Sequence, residues 1–597
     1  MTTDQGDHGS TERPPTGRPV IYATQGVISS GHYLTSMAGM RLLVAGGNAF
    51  DALVAAAFAA AVVEPIAAYS LGAEGVFMLH DAASGDVLAL SGQGVAPGKA
   101  TVDFYKDKGL DAIPTGPGLQ APMAFTVPGV AAALIALLDR YGRKSVAEVL
   151  APAIEYAEKG IPHYEYMLRS LDNEATKEQF DTFPPGGTEV FYDNGRLPRP
   201  GSMLVQPGLG RTLSKMAEAE DNASGDRSAR LKAARDVFYT GEIAQSIVAN
   251  SEAVGGIVAV EDLTGYEAKF EKPISTTFAG HEVFGQSTWT QAGVLMQALN
   301  MLEGIDLARM GHNSPEYIHT VTEALKLAMA DRQAFYGDPD YANVPIDGLL
   351  SKKYAVERAE RIDAGRAYPE IPPAGDPWRH SSLKGGAPAQ QAVPVASTGD
   401  GGGDDSGTTH ASVIDSEGNM VCGTLSGGSF GSSVYFPDVG FTLSTRIEMF
   451  NLEEGHPNVL VPGKRPRTTL VNYIVSKNGR PVMTVGCPGG DHQAQANVQL
   501  ILNTLVFGMN PQQAIEAPRF GTASVVNSFY PHVYYPGRLT VEAGFPEDTL
   551  ARLRVLGHEV EEVSACGLGA TVARFDRDNG VMSTGADPRR ACYAIGW

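Results

Sequence analysis

Between Gly365 and Gly407 the chain runs through PPAGDPW…KGGAPAQQAVPVASTGDGGGDDSG, so loaded with Pro, Gly, Ser and Asp that it cannot build a core. Packed structure must therefore lie on either side of it, and the stretch is expected to be a mobile loop, open on composition alone to being an interdomain linker. The two flanks differ in texture, which predicts two parts of different make-up within one chain of 597 residues.

On the N-terminal side, a polar tail over 1–18 precedes a strand over Pro19–Ser29. A helix is expected from about His32, with Ala38, Leu42 and Leu43 on one face and Gly46-Gly47-Asn48 ending it. A second helix runs from near Asp51 to Pro65. Its apolar, Ala-rich stretch Ala52–Val63 is too short to span a bilayer and reads as a buried helix packed internally. Gly75–His80 and Asp86–Ser91 form a hairpin pattern, strands recur near Phe278–Phe284, and Val127–Gly160 and Pro315–Gln333 have helical periodicity. Ser314 is the expected N-cap of the last of these, with Pro315 at its first position.

On the C-terminal side, Thr409–Asp415 and Asn419–Ser426 alternate polar with apolar residues about a turn at Ser416–Asn419. Val471–Ser476, Pro481–Gly486 and Gly569–Phe575 are further strands, and Gln493–Phe507 is an apolar helix. Stacked sheets with helices packed on them are expected. There is no internal repeat.

Composition narrows the partners. Asp plus Glu is 67 against 46 Lys plus Arg, a net charge of −21, which argues against nucleic acid or an anionic membrane. No basic segment followed by an apolar one opens the chain, so no secretory signal is read and a cytoplasmic location is expected. The four cysteines (Cys422, Cys487, Cys566, Cys592) have neither metal-site nor paired spacing and are read as small buried hydrophobes. No cofactor or metal is expected.

The chemistry concentrates where the low-complexity stretch meets Gly407-Thr408-Thr409-His410. A hydroxyl preceded by glycine can attack the preceding carbonyl, because glycine adds no bulk and tolerates strained backbone. Hydrolysis of the ester leaves Thr408 as a new N-terminus whose α-amine, with an ordinary pKa of about 7.7–8.0, serves as base for its own hydroxyl. Taken alone, the tetrapeptide is equally the start of a strand after a linker. Gly489-Gly490, between a strand and an apolar helix, has the amides of an oxyanion hole, but by itself is also an ordinary turn. His410 reads as a structural strand residue, since the amine already fills the role of base.

Taken together, GGNAFDALVAAAFAAAVVEP (46–65), APGKAT (96–101), TTHASVIDSEGNMV (408–421), SFGS (429–432), PGKRP (462–466), GCPGG (486–490), EAPRF (516–520) and GADPRR (585–590) resemble the γ-glutamyltranspeptidase family from about Val20 to Ile595. The resemblance implies an α/β fold, a four-layer αββα sandwich, and a precursor that cleaves itself between Gly407 and Thr408. A large subunit (19–407, ending in the linker over about 366–407) and a small subunit (408–597) would stay together as a heterodimer. It further implies that Thr408 is the nucleophile, that Gly489 and Gly490 bind the oxyanion, and that Thr424 and Ser426 assist processing.

The donor pocket departs from the family pattern. Gln93 stands where a carboxylate-clamping Arg is expected, and an amide cannot replace a guanidinium fork. Met449 stands where an Asp would meet the donor amine, and Arg446 replaces a Gln, with Glu448 beside it as a partial offset. The Asn after the second family threonine is missing from Gly427-Gly428, while Thr468 and Thr469 keep the hydroxyls of a serine pair. The run Gly489-Gly490-Asp491-His492-Gln493-Ala494-Gln495 is similar to a branch that includes oxamate amidohydrolase, and cephalosporin acylases share APGKAT. Some homologues in antibiotic pathways are thought to cleave a C–C bond beside a keto acid.

Arg446, Gln93, Glu448, Thr468, Thr469 and Asp491 are thus the expected substrate-binding set, with Arg446 orienting an anionic acyl group such as an oxalyl or dicarboxylyl unit. The leading reading is an acyl-enzyme hydrolase or acyltransferase acting on a small amide or acyl substrate outside ordinary γ-glutamyl donors. Glutathione hydrolysis or γ-glutamyl transfer is the alternative. A third reading is a catalytically dead binding scaffold, against which the retained Thr408 and Gly489-Gly490 speak.

Overall fold

The computed structural model describes residues 16–385, 396–397, 407–428 and 430–597. Most of the low-complexity stretch, and Ser429 of the SFGS motif, lie outside the described residues.

Two seven-stranded antiparallel sheets stack face to face. One has the order Ile21–Ala23, Val581–Ala586, Thr571–Asp576, Arg480–Gly486, Asn472–Lys477, His281–Gly285, Ile274–Phe278. The other runs Tyr593–Gly596, Gly26–Ser30, Thr409–Asp415, Met420–Ser426, Glu74–His80, Val87–Gly92, Lys269–Glu271. Each sheet mixes strands from before and after the low-complexity stretch, so the two flanks are one interleaved body rather than separate domains. Helices cover both outer faces. The Ala-rich helix joins Val130–Tyr141 and Val146–Lys159 over the second sheet, while Ala292–Leu302, Pro315–Phe335 and His492–Leu505 cover the first. This is the αββα sandwich.

The strand expected over Pro19–Ser29 is two strands in different sheets, Ile21–Ala23 and Gly26–Ser30. The chain crosses between sheets at Thr24-Gln25, whose amides both donate to the Trp597 carbonyl (3.2 and 2.9 Å). A partner that lies at the far end of the sequence leaves no local signal. The helical stretch over Val127–Gly160 likewise breaks into two helices at Gly142, and Ser145 caps the second with Glu148 in a capping box. Ser314 caps Pro315–Phe335 as expected, accepting from the Tyr317 amide (3.1 Å).

Every residue of the helix Ala49–Val63 is buried. Alanine suits this position because a sheet lies on one side and further helices on the other, leaving no room for long side chains. Asn48 caps the helix through Phe50 and Asp51 amides, and the Asp415 carboxylate accepts from the Ala49 amide (2.8 Å). That contact ties the helix to the hairpin that begins with the proposed nucleophile.

The alternating strands expected over Thr409–Asp415 and Asn419–Ser426 form as Thr409–Asp415 and Met420–Ser426, and every residue of both is buried. Their polar faces meet the opposite sheet. Thr424 Oγ1 donates to the Val471 carbonyl (2.8 Å), and the Asn472 amide donates to the Val76 carbonyl (2.8 Å). Thr571 and Ser412 hydroxyls meet at 3.3 Å, as do those of Thr584 and Ser29 at 3.0 Å. His410 lies in this polar seam between Thr424 Oγ1 (2.8 Å) and Ser412 Oγ (3.1 Å). All four cysteines are buried thiols.

Gly486 permits the seam to close, since a Cβ there would lie within the His410 ring. Replacing Gly486 with Ala is expected to destabilise the protein by about 1–3 kcal/mol through overpacking, read from urea unfolding. A stability equal to wild type would show that the seam yields more easily than its geometry indicates.

Candidate active site

Glu64 ends the Ala-rich helix, and Pro65–Ala67 then form a 3₁₀ turn that leads into Ala68 at φ 52°. This turn lies against Gly407. A Cβ on Gly407 would come 2.5 Å from the Ala68 nitrogen and 2.7 Å from the Ile66 oxygen, with the Ala67 carbonyl carbon nearer still. No side chain fits, so the requirement for glycine before Thr408 has a steric cause in the fold.

Thr408 is 1% exposed. Its hydroxyl donates to the Gly407 carbonyl oxygen (2.7 Å), and the same oxygen accepts from the Ser426 hydroxyl (2.9 Å). The pairing of Thr409 with Leu425 carries Ser426 to the level of Thr408. Ser426 Oγ in turn accepts from Arg446 Nη2 (2.8 Å). On the other side, the Thr408 carbonyl accepts from Arg590 Nη1 (2.8 Å), whose guanidinium lies over the Tyr166 ring.

Arg446 and Glu448 belong to one buried 3₁₀ turn, Arg446–Met449. The Arg446 guanidinium stacks 4.9 Å from the Phe529 ring centroid, and Met449 Sδ lies 4.0 Å from Nη1. Glu448 accepts from the Tyr530 amide (3.3 Å). Burial raises its carboxyl to about 7, against the pull of Arg446. Glu74 is the second carboxyl near Arg446, held by hydroxyls of Ser444 (2.8 Å) and Thr126 (3.0 Å) and by the Gln93 amide. Burial raises it too to about 7, with Arg446 the main opposing influence. Gln93 is thus engaged with Glu74. A cavity of about 720 Å³ opens onto Gly407, Gly428, Arg446, Glu448, Phe529 and Tyr530.

The other expected residues are distributed around this centre. Thr424 lies in the polar seam with His410, whose imidazole burial pushes down to about 3 and keeps neutral. Gly489 (φ 122°) and Gly490 (φ 50°) form the turn leading into His492–Leu505, a conformation that suits glycine alone. The Gln291 side chain bridges the carbonyls of Thr469 (2.8 Å) and Gly490 (2.9 Å), while Thr468 Oγ1 accepts from the Leu470 amide (3.3 Å). Asp491 is bound to Arg332 and to the amide and hydroxyl of Ser528 (both 2.7 Å). Burial opposes its charge, yet these partners hold its carboxyl below the ordinary range. Of the expected catalytic and substrate-binding residues only Arg446 and Glu448 line the cavity; Thr408, Ser426, Gln93, Thr424, Thr468, Thr469, Gly489, Gly490 and Asp491 are not among its lining residues.

Residue types and spacing did not single out Arg590, Glu64, Gln291 or Phe529. The first two lie inside quoted motifs. Glu64 accepts from Thr35 Oγ1 (2.6 Å), with the Thr409 hydroxyl beside it, and burial raises its carboxyl. Among the described residues, His319, Glu323 and His558 bring possible metal-ligand atoms within 4.8 Å of one another. Lys326 Nζ already lies 2.8 Å from Glu323, and His319 Nε2 faces the Asp363 carbonyl (2.8 Å). The trio is therefore a closed polar core with its own cation.

A family model described as Gamma-glutamyltranspeptidase matches residues 35–597. The chain belongs to the gamma-glutamyltranspeptidase family. Its members include the Glutathione hydrolase-like YwrD proenzyme of Bacillus subtilis, 33% identical over 96% of this chain and 99% of the relative. The Oxamate amidohydrolase proenzyme of Klebsiella pneumoniae is 30% identical over 96% and 99%. Among solved structures, that of LmbA2991HD is 38% identical with TM-score 0.90, covering 98% of this chain and all of that one. Cephalosporin acylase from Bacillus halodurans is 28% identical with TM-score 0.80, covering 100% and 99%. The protein is thus an enzyme of the N-terminal-nucleophile hydrolase type. No helix among the described residues is long and apolar enough to cross a membrane.

A carboxyl near 7 when folded and about 4.3 when unfolded binds more protons in the folded state, so its stabilisation is complete below about 4.3 and is lost as pH rises through 7. Glu448→Gln is accordingly expected to flatten part of the fall in thermal midpoint between about pH 5 and pH 7.5. An unchanged profile would mean that Glu448 is already ionised across that window.

Proposed function

We propose that this family member cleaves itself between Gly407 and Thr408 and then uses Thr408 to hydrolyse or transfer an anionic acyl group other than γ-glutamyl. The observation that carries the reading is the Gly407 carbonyl held between the Thr408 and Ser426 hydroxyls, with the Arg446 cation directly behind Ser426.

In the cut, Thr408 Oγ1 bonds to the Gly407 carbonyl carbon and the C–N bond breaks. The hydroxyl proton ends on the Thr408 nitrogen. Water then hydrolyses the ester, giving a Gly407 carboxylate and restoring the Thr408 hydroxyl beside a free α-amine. In the uncut protein Thr408 is almost completely buried. In the mature enzyme the amine takes the hydroxyl proton, Thr408 attacks the substrate carbonyl, and the amine returns the proton to the leaving group. Gly489 and Gly490 are assigned to the oxyanion of that step.

Arg446 selects the acyl group. A fixed guanidinium over Phe529 favours a carboxylate and repels the ammonium of a γ-glutamyl donor. Gln93, spent on Glu74, offers no second clamp. The name of the oxamate amidohydrolase relative supports an oxalyl or other dicarboxylyl group. Retained Thr408, Gly407 and Ser426 geometry weighs against a dead scaffold, and the same assignment makes residues 408–597 the small subunit of a heterodimer.

Intact-mass spectrometry of wild type is expected to show two fragments, the smaller beginning at Thr408, with Thr408→Ala a single chain. Cleavage persisting in Thr408→Ala would move the nucleophile elsewhere. In a substrate panel, kcat/KM for an oxalyl or dicarboxylyl amide should exceed that for a γ-glutamyl anilide by about 100-fold, the scale of making or breaking one buried charge pair. The reverse ranking would restore glutathione hydrolysis as the activity.

A further inference from the structure

We infer that Arg446 is also a positioning residue for chain cleavage, acting through Ser426 on the Gly407 carbonyl before it ever meets a substrate. This rests on cleavage at Gly407–Thr408 and adds a role for a residue whose assigned part begins only after the cut.

Three hydrogen bonds in series carry the inference. Arg446 Nη2 donates to Ser426 Oγ (2.8 Å), Ser426 donates to the Gly407 oxygen (2.9 Å), and Thr408 waits on the same oxygen (2.7 Å). A serine hydroxyl has one proton to give. With that proton on the Gly407 oxygen, its lone pairs are open to the guanidinium, and a donor that itself accepts from a cation is polarised into a stronger donor. Attack by Thr408 Oγ1 turns the carbonyl oxygen into an oxyanion, so the Ser426 bond becomes charge-assisted at the moment the barrier is crossed. A guanidinium is charged at any working pH, which makes the chain of donors independent of titration.

The geometry also fixes the cation in place. The Arg446 turn is wholly buried, its guanidinium lies over the Phe529 ring, and its amide donates to Ser444 Oγ (3.3 Å). On the opposite side is Gly428, at φ 62°, where a Cβ would meet Thr445 Oγ1 first, at 2.9 Å, with Glu448 Oε1 at 3.4 Å and Arg446 Nε at 3.9 Å. A longer side chain at 428 would compete for the space in which Arg446 reaches Ser426. Once Gly407 departs, the Arg446–Ser426 pair faces the place its carbonyl occupied, where the carbonyl of an incoming acyl group must come. One cation then serves the carbonyl of the chain first and the carboxylate of the acyl group afterwards.

The test is a double-mutant cycle on the rate of precursor cleavage, followed by intact mass in freshly refolded protein. Arg446→Gln is expected to slow cleavage about tenfold, the worth of one charge-assisted hydrogen bond, and Arg446→Lys to recover part of it. Ser426→Ala is expected to slow cleavage as well. On the Ser426→Ala background, Arg446→Gln should add nothing, because the relay is already broken. Thermal midpoints of the same variants on the Thr408→Ala background separate slow chemistry from poor folding. Cleavage of Arg446→Gln at the wild-type rate would overturn the inference, as would a full further tenfold loss on the Ser426→Ala background. A wild-type chain that never cleaves would overturn the underlying reading as well, so the two failures are told apart.

Discussion

The polar seam between the two sheets is the constraint on which the rest of the structure depends. Two sheets stacked through apolar side chains alone could slide, whereas hydroxyl, amide and imidazole partners pair at single positions. Thr424 with the Val471 carbonyl, Asn472 with the Val76 carbonyl, and Ser412 with Thr571 fix the strand that begins at Thr409 against its neighbours. His410, neutral and sealed between Thr424 and Ser412, occupies space that only Gly486 leaves open. With that strand pinned, the residue just before it is delivered to the same place each time the chain folds. The cost of burying so many polar atoms is met because they find partners across the seam.

The second constraint is steric. The Ala-rich helix is held by Asp415 at one end and releases into the Pro65–Ala67 turn at the other. That turn presses backbone against Gly407, where no side chain fits. The bond proposed for cleavage is therefore located by an all-buried helix on one side and by the pinned strand on the other. Arg590, donating to the Thr408 carbonyl, closes the third side. Such a peptide has little freedom to move away from the hydroxyls that point at it, which is what a self-directed reaction needs.

Around this frame the cavity wall carries buried charge. Arg446 brings a cation to the wall, and Glu74 and Glu448, raised by burial, sit near it with carboxyls that are half neutral around pH 7. Met449, where an acid would otherwise meet an ammonium, packs against Arg446 instead. The family relatives span hydrolases and acylases on one framework, as expected when specificity resides in a few wall residues.

Much of this was legible in the chain. Periodicity placed the Ala-rich helix, the Thr409–Asp415 and Met420–Ser426 hairpin and the Pro315–Phe335 helix near their observed bounds, because each is set by local spacing and caps. The joint order of motifs carried the family. Periodicity failed where an element answers to something distant. The break at Thr24-Gln25 depends on the carbonyl of Trp597, and the full burial of alternating strands depends on a second sheet that supplies partners for their polar faces. Gln93 and Asp491 read as pocket residues, but their side chains are committed to Glu74 and Arg332, whose positions lie 19 and 159 residues away. The sequence by itself determined the local elements and the family, since both are carried by residues read in order along the chain. Only the tertiary structure decided which polar groups remain available to a substrate, because a hydrogen bond removes a side chain from the site without leaving a mark on its neighbours in the chain.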